Sequence, residues 1–200
     1  DLDDIMDLAE DFLVEVVGFV LKNGREHLEV LGRDIAALER VQKPFARISY
    51  DEACEKVREL GVEMEPEDDF GSPQETALAE QYDRPVMVHR FPTAIKAFYM
   101  KEDPSNPLRA LGVDVLAPEG YGEIIGGGQR EDNIDVLLEK IDAHQLPKEA
   151  FDWFLDLRKY GTCPHGGFGL GLERLVTWVC GLKHVRETVP FPRTMGQLKP

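Results

Sequence analysis

The feature that most constrains this sequence is a run of alternating glycines in HGGFGLGLERL, residues 165–175. Glycine loses more backbone freedom on folding than any other residue, so its repetition indicates that missing side chains are needed there. In a strand, alternate residues point to opposite faces. One face would then be bare backbone, at Gly167, Gly169 and Gly171, and the other apolar, at Phe168, Leu170 and Leu172. A bare face predicts a flat or bulky ligand lying directly on the strand.

The charged residue Arg174 indicates which kind of ligand this is. It falls near the start of the last predicted helix, where the helix dipole disfavours a cation by about 0.3–1 kcal/mol and favours a bound anion. Its planar guanidinium can also stack on a ring while it binds oxygen atoms. Together with the bare strand, these properties favour a nucleotide. On spacing alone, a crowded strand crossing followed by a surface arginine is the alternative.

The acidic composition argues against a broad nucleic-acid surface. The 200 residues carry 38 Asp and Glu against 23 Lys and Arg, a formal net charge of −15, whereas phosphate contacts need Lys and Arg. An anionic ligand must therefore be held by a few placed arginines or by a metal ion. Three scattered cysteines indicate a reducing, cytoplasmic location. No apolar run reaches the roughly 18–20 residues that a membrane span needs.

The residue pattern predicts an α+β fold, a mostly antiparallel sheet flanked by helices. Residues 1–83 are predicted to be mainly helical and residues 84–200 to form the sheet region. The predicted helices cover 3–22, 25–40, 49–60, a short segment from 72, 133–144, 147–158 and 173–180. The predicted strands cover 45–49, 84–91, 94–100, 112–118, 122–130 and 166–172. The acidic segment 61–73 is predicted to be an exposed loop.

Two acids on neighbouring predicted strands form a second candidate group. Asp114 and Glu123 can share one face if their strands pair as a hairpin around the Pro-Glu-Gly turn. Paired carboxylates hold Mg²⁺ or share a proton in acid–base chemistry. With a nucleotide nearby, Mg²⁺ is the better interpretation, and two solvated acids at strand ends are the alternative.

Arg130 follows three consecutive glycines, 126–128, and can reach a ligand beyond that bare stretch. An arginine in a pocket is the natural partner of a carboxylate or amide oxygen. The alternative is a surface salt bridge with Glu131 or Asp132.

Four other features are interpreted as structural. Lys96 alternates with apolar residues on a predicted strand, and a solvated strand face is favoured over a place in the cleft. Trp153 and Trp178 lie at helical spacing with apolar neighbours and are predicted to be in the core. A zinc site is disfavoured, because the spacing of its candidate ligands matches no usual pattern. Those candidates are Cys163, His165, Cys180 and His184.

The segments GGFGLGLERLVTWVCG and HVRETVPFPRT resemble motif 3 of class II aminoacyl-tRNA synthetases of the aspartate/asparagine/lysine subgroup. The wider run, from FPTAIKAFYM through VDVLAP and GEIIGGGQRE to FLDLRKYGTCPHGGFGLGLERL, is most similar to the asparaginyl branch. The resemblance covers nearly the whole chain and is strongest from Arg84 to Pro200. It implies an enzyme that activates asparagine with ATP, releases pyrophosphate and passes the acyl group to tRNA(Asn). It also implies a cytoplasmic homodimer.

The resemblance further implies roles for single residues. Arg174 would hold the ATP adenine and γ-phosphate region, and Glu123 would bind Mg²⁺ with help from Asp114. Arg130 would meet the amino-acid side chain. The remaining implied site residues are Gly171, Leu172 and Glu173 along the ATP wall, and Gly126 and His165 near the amino acid. In aspartyl relatives a serine stands beside the metal at the position of Gly126.

Two motifs of the family, the dimer-forming motif 1 and the motif 2 whose arginine binds the α-phosphate, are not found in the sequence. Nor is an anticodon-reading domain. The chain is therefore expected to be the C-terminal part of a class II catalytic domain, incomplete as an enzyme by itself. Three alternatives stay open: an aspartyl-tRNA synthetase, a synthetase-related asparagine synthetase, and a non-catalytic synthetase-derived binding module.

Overall fold

The frame of the molecule is a five-stranded sheet, seen in a computed structural model that describes residues 1–196. In chain order the strands are β1 (Ala46–Ser49), β2 (Val86–His89), β3 (Glu102–Asp103), β4 (Asn106–Ala110), β5 (Gly112–Ala117), β6 (Gly122–Gln129) and β7 (Gly166–Leu170). The main sheet has the order β1-β2-β5-β6-β7, and β3 and β4 form a separate hairpin. Only β1 and β2 are parallel; the other neighbours in the main sheet are antiparallel. The predicted α+β fold with a mostly antiparallel sheet is confirmed.

Eight α-helices and two short 3-10 segments surround the sheet in the described part of the chain. The helices are α1 (Leu2–Asn23), α2 (Arg25–Val30), α3 (Ile35–Glu39), α4 (Tyr50–Glu59), α5 (Ser72–Ala79), α6 (Ile134–Ala143), α7 (Asp152–Lys159) and α8 (Leu172–Cys180). The 3-10 segments are Lys148–Phe151 and Val185–Thr188. None of the helices within residues 1–196 combines the length and apolar character needed to cross a membrane.

Local signals in the sequence account for several of these boundaries. The Ser49 side chain accepts a hydrogen bond from the Glu52 N–H, and the Glu52 side chain accepts one from the Ser49 N–H. These two hydrogen bonds cap the start of α4. Helix α8 ends at Gly181, whose φ of 67° is a left-handed conformation that glycine adopts without strain.

The sheet is covered unevenly on its two faces. Helices α1 and α8 bury one face, in a core that includes Leu13, Val115, Ile125 and Trp178. On the other face, α4 and α5 cover the β1–β2 end. A third, smaller cluster joins α6 and α7 to Phe98 and Tyr99. Within residues 1–196 the second face is open at Gly167 and Gly169 of β7, where an added Cβ would meet nothing within 4 Å, and this leaves room for the site described below.

Three expectations about the helices, the strands and the core are wrong. The helix predicted over 25–40 is broken into α2 and α3, because Gly32 takes a φ of 73° and Asp34 caps a new helix by accepting the Ala36 N–H. The segment 94–100 is a series of turns and not a strand, and only Met100 makes an isolated bridge, to Arg130.

The third difference is Trp153, which is 66% exposed, whereas Trp178 is fully buried as predicted. Helix α7 turns Leu155 and Arg158 inward, so Trp153 lies on its outer face. Strand β1, within the mainly helical first part of the chain, pairs with β2, so both parts of the chain share one sheet.

Alanine substitutions separate glycines that are needed for packing from those that leave space. A Cβ at Gly127 would lie 2.5 Å from the Phe168 Cβ and 2.7 Å from the Gly167 carbonyl oxygen, whereas a Cβ at Gly167 would meet nothing within 4 Å. Gly127→Ala is expected to lower the free energy of unfolding by about 1–3 kcal/mol, as overpacking does. Gly167→Ala is the matched control and should be near neutral. Urea unfolding followed by circular dichroism measures both, and equal effects would contradict this packing.

Candidate functional site

The floor of the candidate site is the uncovered face of β6 and β7. The strand register places Gly126 opposite Gly169 and Gly128 opposite Gly167. Side chains added at Gly167 or Gly169 would meet nothing within 4 Å. The bare strand face therefore exists where the sequence predicts it. We call the surface formed by Gly126, Gly167 and Gly169 the glycine trough.

The apolar residues between these glycines differ in part from the expectation. Phe168 and Leu170 pack against the core on the covered face of the sheet. The alternation predicts Leu172 on this apolar face too, but Leu172 begins α8 and is 62% exposed. The alternation ends at Leu172, because the chain leaves the strand there.

Two carboxylates stand over one side of the trough. Asp114 lies opposite Gly126, and a bulge at Ile124 brings Glu123 opposite Leu116. A Cβ at Gly126 would lie 2.6 Å from the Glu123 Oε1 atom and 3.5 Å from the Asp114 Oδ1 atom. The two acids thus share one face across the β5–β6 hairpin as predicted, in the space that the missing side chain leaves. We call Asp114 and Glu123 the acid pair.

Lys96 lies beside the acid pair and not on a solvated face, so the favoured interpretation of this residue is wrong. Its Nζ atom donates to the Asp114 Oδ2 atom at 2.6 Å, and the side chains of both residues are 15% exposed. The ammonium also lies 3.7 Å from the centre of the Phe91 ring. The turns of 94–100 place Lys96 there, which a strand prediction could not anticipate.

The electrostatics of Asp114 reflect its burial. The pKa of Asp114 is raised to about 6, mainly by desolvation and further by the neighbouring charges of Glu123 and Asp69, while Lys96 acts in the opposite direction. A buried carboxylate beside a second carboxylate prefers to hold a proton. A cation placed beside Asp114 would favour its ionised form.

Arg174 is at the same end of the trough as Glu123. Its Nη1 atom donates to the Glu123 carbonyl oxygen at 2.7 Å. The first positions of α8, Leu172 and Glu173, are exposed beside it, and a Cβ at Gly171 would lie 3.4 Å from the Arg174 side chain. The expected juxtaposition of Arg174 and Glu123 is therefore present in the fold.

Arg130 lies at the opposite end of the trough. Its Nη2 atom donates to the Gly167 carbonyl oxygen at 3.3 Å, its Nη1 atom to the Met100 sulfur at 3.1 Å, and its guanidinium carbon lies 4.9 Å from the centre of the Tyr99 ring. Burial lowers the pKa of Arg130.

A surface salt bridge to Glu131 or Asp132 was the alternative for Arg130, and it is wrong. Within residues 1–196 no carboxylate pairs with Arg130, and Asp132 pairs with Lys101 instead. A half-buried guanidinium without a carboxylate partner is suited to an oxygen atom of a ligand.

His165 is held in place beside Arg130. The backbone N–H of Arg130 donates to the His165 carbonyl oxygen at 2.9 Å. The ring contacts the Cys163 carbonyl oxygen through Nδ1 at 2.8 Å and the Arg158 guanidinium through Nε2 at 3.2 Å. Because arginine can only donate, Nε2 must accept and Nδ1 must carry the proton. Both ring nitrogens are thus already bonded.

The acid pair fits Mg²⁺, although it does not form a complete cage. Mg²⁺ commonly takes one or two carboxylates and completes its shell with water and substrate phosphates. Asp114 and Glu123 offer hard oxygen atoms around the open space at Gly126. Within the described residues no group of three or more His, Cys, Asp or Glu could hold a metal ion.

The trough has the length of an extended ligand with two polar ends. Gly171 is four positions along the chain from Gly167, and four extended steps correspond to about 13 Å. An arginine lies at each end, and the acid pair flanks the end beside Arg174.

Besides the place of Lys96, sequence reasoning missed Glu75, whose Oε2 atom accepts a hydrogen bond from the Glu123 N–H at 3.0 Å. Glu75 is 48 residues distant in sequence, and no local pattern marks it.

Known proteins resemble this chain along its whole length. The family described as tRNA synthetases class II (D, K and N) matches residues 1–195. An asparagine–tRNA ligase from Sorangium cellulosum is 57% identical over 212 residues, covering 100% of this chain and 48% of the relative. The chain spans about half the length of the curated relatives it matches.

Solved structures agree with the sequence comparison. The crystal structure of asparaginyl-tRNA synthetase from Pyrococcus horikoshii complexed with asparaginyl-adenylate has a TM-score of 0.97 and 48% identity, covering 100% of this chain and 46% of that one. An aspartyl-tRNA synthetase from Entamoeba histolytica has a TM-score of 0.86 and 26% identity, covering 100% of this chain and 42% of that one.

The raised pKa of Asp114 predicts a titration that responds to Mg²⁺. Because this folded-state pKa lies above the ordinary value, the contribution of Asp114 to stability is present at low pH and is lost as the pH rises to about 6. Carbon-13 NMR of the side-chain carboxyl should give a midpoint near 6, and Mg²⁺ should lower it, because the ion favours the carboxylate.

Asp103 is the control for this titration. Hydrogen bonds from Ser105 and Arg90 lower its pKa to about 2, and it lies outside the acid pair, so Mg²⁺ should leave it unchanged. An Asp114 midpoint near that of an exposed aspartate would contradict the buried geometry.

Proposed function

Because the chain belongs to the class II tRNA synthetases of the D, K and N group, we propose that the protein activates asparagine with ATP and transfers the asparaginyl group to tRNA(Asn). The observation that carries the proposal is the glycine trough with Arg130 at one end and with Arg174 and Glu123 at the other. The 57% identity to an asparagine–tRNA ligase, and the likeness to a structure complexed with asparaginyl-adenylate, support asparagine as the amino acid.

The proposed reaction has two steps. In the first, a carboxylate oxygen of asparagine attacks the α-phosphorus of ATP, an acyl-phosphate bond forms, and the α–β phosphoanhydride bond breaks to release pyrophosphate. In the second, a ribose hydroxyl at the end of tRNA(Asn) attacks the acyl carbon, and AMP leaves. No covalent bond to the protein is needed, so catalysis rests on positioning and on charge stabilisation.

In this proposal the ATP end of the trough is formed by β7 and the start of α8. Arg174 contacts the adenine and the γ-phosphate region, and the neighbouring wall is lined by Gly171, Leu172 and Glu173. The bare backbone at Gly169 allows the nucleotide to approach the sheet closely, since a side chain there would occupy the same space.

Glu123, with Asp114, would hold Mg²⁺ at the phosphates. When bound, the ion supplies positive charge that offsets the phosphate charge and orients the phosphate oxygens. The protein's own part is to keep both carboxylates over Gly126, where no side chain interferes. Lys96 neutralises Asp114 in the structure described here, so a bound cation would share that carboxylate with Lys96.

The amino-acid end lies at Arg130, with Gly126 and His165 nearby. The Arg130 guanidinium can donate to the amide oxygen of asparagine, and it could equally donate to the carboxylate of aspartate. Selection of asparagine therefore needs an acceptor for the amide NH₂ group, because a site discriminates strongly when the wrong ligand leaves a polar group unpaired. His165 is held there by Arg158 and the Cys163 carbonyl oxygen.

The alternatives are less well supported. An aspartyl enzyme is represented by a structure that is only 26% identical to this chain. A synthetase-related asparagine synthetase would need aspartate at the same position. A non-catalytic binding module has no use for an acid pair and two arginines arranged along one trough.

Further parts of the proposal concern the whole protein. We place the chain in the C-terminal part of a class II catalytic domain, in a cytoplasmic homodimer. Light scattering of the full-length protein tests the dimer. Neither the domain assignment nor the location is needed for the reaction proposed above.

The decisive measurement is ATP–pyrophosphate exchange by the full-length protein with asparagine and with aspartate. Exchange with asparagine is expected to exceed that with aspartate by roughly 100-fold or more, as polar discrimination allows. Exchange with aspartate alone would indicate one of the aspartate-using alternatives. Absence of exchange with either amino acid would favour the binding module.

A bulky residue in the trough should block ATP without unfolding the protein. Gly169 has open space above it, so Gly169→Val should leave the melting temperature unchanged and lower kcat/KM for ATP by roughly 100-fold, since small misplacements of a substrate have effects of that size. Gly169→Ala is the graded control and should lose less. If Gly169→Val exchanged pyrophosphate as the wild type does, the nucleotide would not lie on this strand.

A further inference from the structure

We propose that Glu75 is a positioning residue that holds the Glu123 backbone from behind, so that the Glu123 carboxylate and Arg174 meet the substrate in a fixed arrangement. The inference deepens the proposed function and rests on it. Glu75 itself touches neither the trough nor Arg174 in the hydrogen bonds of the described residues; it acts through Glu123.

The first step is the contact between Glu75 and the hairpin. Glu75 lies on α5, and its Oε2 atom accepts the backbone N–H of Glu123 at 3.0 Å. This approach is possible only because Gly122 has no side chain: a Cβ there would lie 2.5 Å from the same oxygen. Gly122 also has a φ of 70°, a conformation that glycine adopts without strain. Strand β6 is therefore shaped at its first residue to admit the carboxylate.

The second step is the irregularity of the strand at this point. The register pairs Val115 with Ile125 but Leu116 with Glu123, so Ile124 is an extra residue in β6. A bulge interrupts the ladder and re-aims the side chains next to it. The Glu123 N–H bonds to Glu75, so this donor is satisfied by a side chain from a neighbouring helix.

The third step is that both backbone polar groups of Glu123, its N–H and its carbonyl oxygen, are hydrogen-bonded to side chains from neighbouring helices. Glu75 accepts from its N–H, and the Nη1 atom of Arg174 donates to its carbonyl oxygen at 2.7 Å. Helices α5 and α8 therefore hold one residue between them. With its backbone fixed, the Glu123 carboxylate is directed over Gly126, where it stands 2.6 Å from the position of a missing Cβ.

The fourth step is that α5 also contacts this hairpin at a second place, away from Glu123. Helix α5 already holds the same hairpin through Thr76, whose hydroxyl donates to the Gly120 carbonyl oxygen at 3.4 Å. Thr76 thus provides a matched contact that does not reach Glu123.

The test compares Glu75→Ala, Glu75→Gln and the control Thr76→Ala in the full-length protein. Hydrogen–deuterium exchange of the Glu123 amide should accelerate on the order of tenfold in Glu75→Ala, because a hydrogen bond to a charged acceptor is lost. Glu75→Gln keeps an acceptor and should restore most of the protection. Thr76→Ala should leave the Glu123 amide protected. This readout does not depend on activity.

The functional readout is asparagine-dependent pyrophosphate exchange at varied Mg²⁺ and ATP. Glu75→Ala should raise the Mg²⁺ concentration for half-maximal rate and the KM for ATP by roughly tenfold, with the KM for asparagine unchanged. Glu75→Gln should lie within about twofold of the wild type, and so should Thr76→Ala. If Glu75→Ala does not fold, Glu75→Asp replaces it, since the shorter side chain withdraws the acceptor.

The outcomes separate the two ideas. A wild-type protein without exchange contradicts the proposed function, while amide exchange at Glu123 still decides whether Glu75 holds that residue. An active protein in which Glu75→Ala leaves the Mg²⁺ and ATP dependence unchanged overturns the role of Glu75. So does an equal rise in the KM for asparagine, or a Glu75→Gln variant as impaired as Glu75→Ala.

Discussion

The absence of side chains on one face of β6 and β7 is the constraint on which the rest of the site depends. Gly126, Gly167 and Gly169 open a trough on a sheet whose opposite face packs against α1 and α8. Such glycines are unfavourable in a strand, because they lose backbone entropy and bury no side chain. The ladder bonds to neighbouring strands and the burial of Phe168 and Leu170 offset that loss. The bare face has no structural benefit of its own, which is why it points to a ligand.

The charged groups of the site are arranged around this bare face. Space above Gly126 is shared by the acid pair, and burial there raises the pKa of Asp114 to about 6. Lys96 compensates part of this unfavourable charge, and a cation bound with a nucleotide would compensate more. At the other end, Arg130 is half-buried without a carboxylate partner in the described part of the chain. The site thus holds groups whose best partners belong to a substrate.

Local patterns were sufficient to predict much of the site. The glycine alternation, the two acids around one turn and the arginine after three glycines each lie within a single hairpin or strand–helix unit. Their mutual placement follows from strand register, which a short turn largely specifies. The segment 94–100 shows the limit: its apolar alternation predicts a strand, but Lys96 pairs with Asp114 while Phe98 and Tyr99 pack in the cluster with α6 and α7. The prediction that Trp153 lies in the core is wrong for a similar reason, because helical spacing does not show which face of the helix is buried.

The sequence by itself determined the fold class, the bare strand, the identity of the acid pair and the two arginines, because these depend on residue type and on neighbours close along the chain. Only the tertiary structure decided that Lys96 neutralises Asp114, that Arg158 fixes the tautomer of His165, and that Glu75 reaches the Glu123 backbone. Such contacts join residues on different elements, and their energies depend on distance, burial and dielectric surroundings that exist only once those elements have packed together.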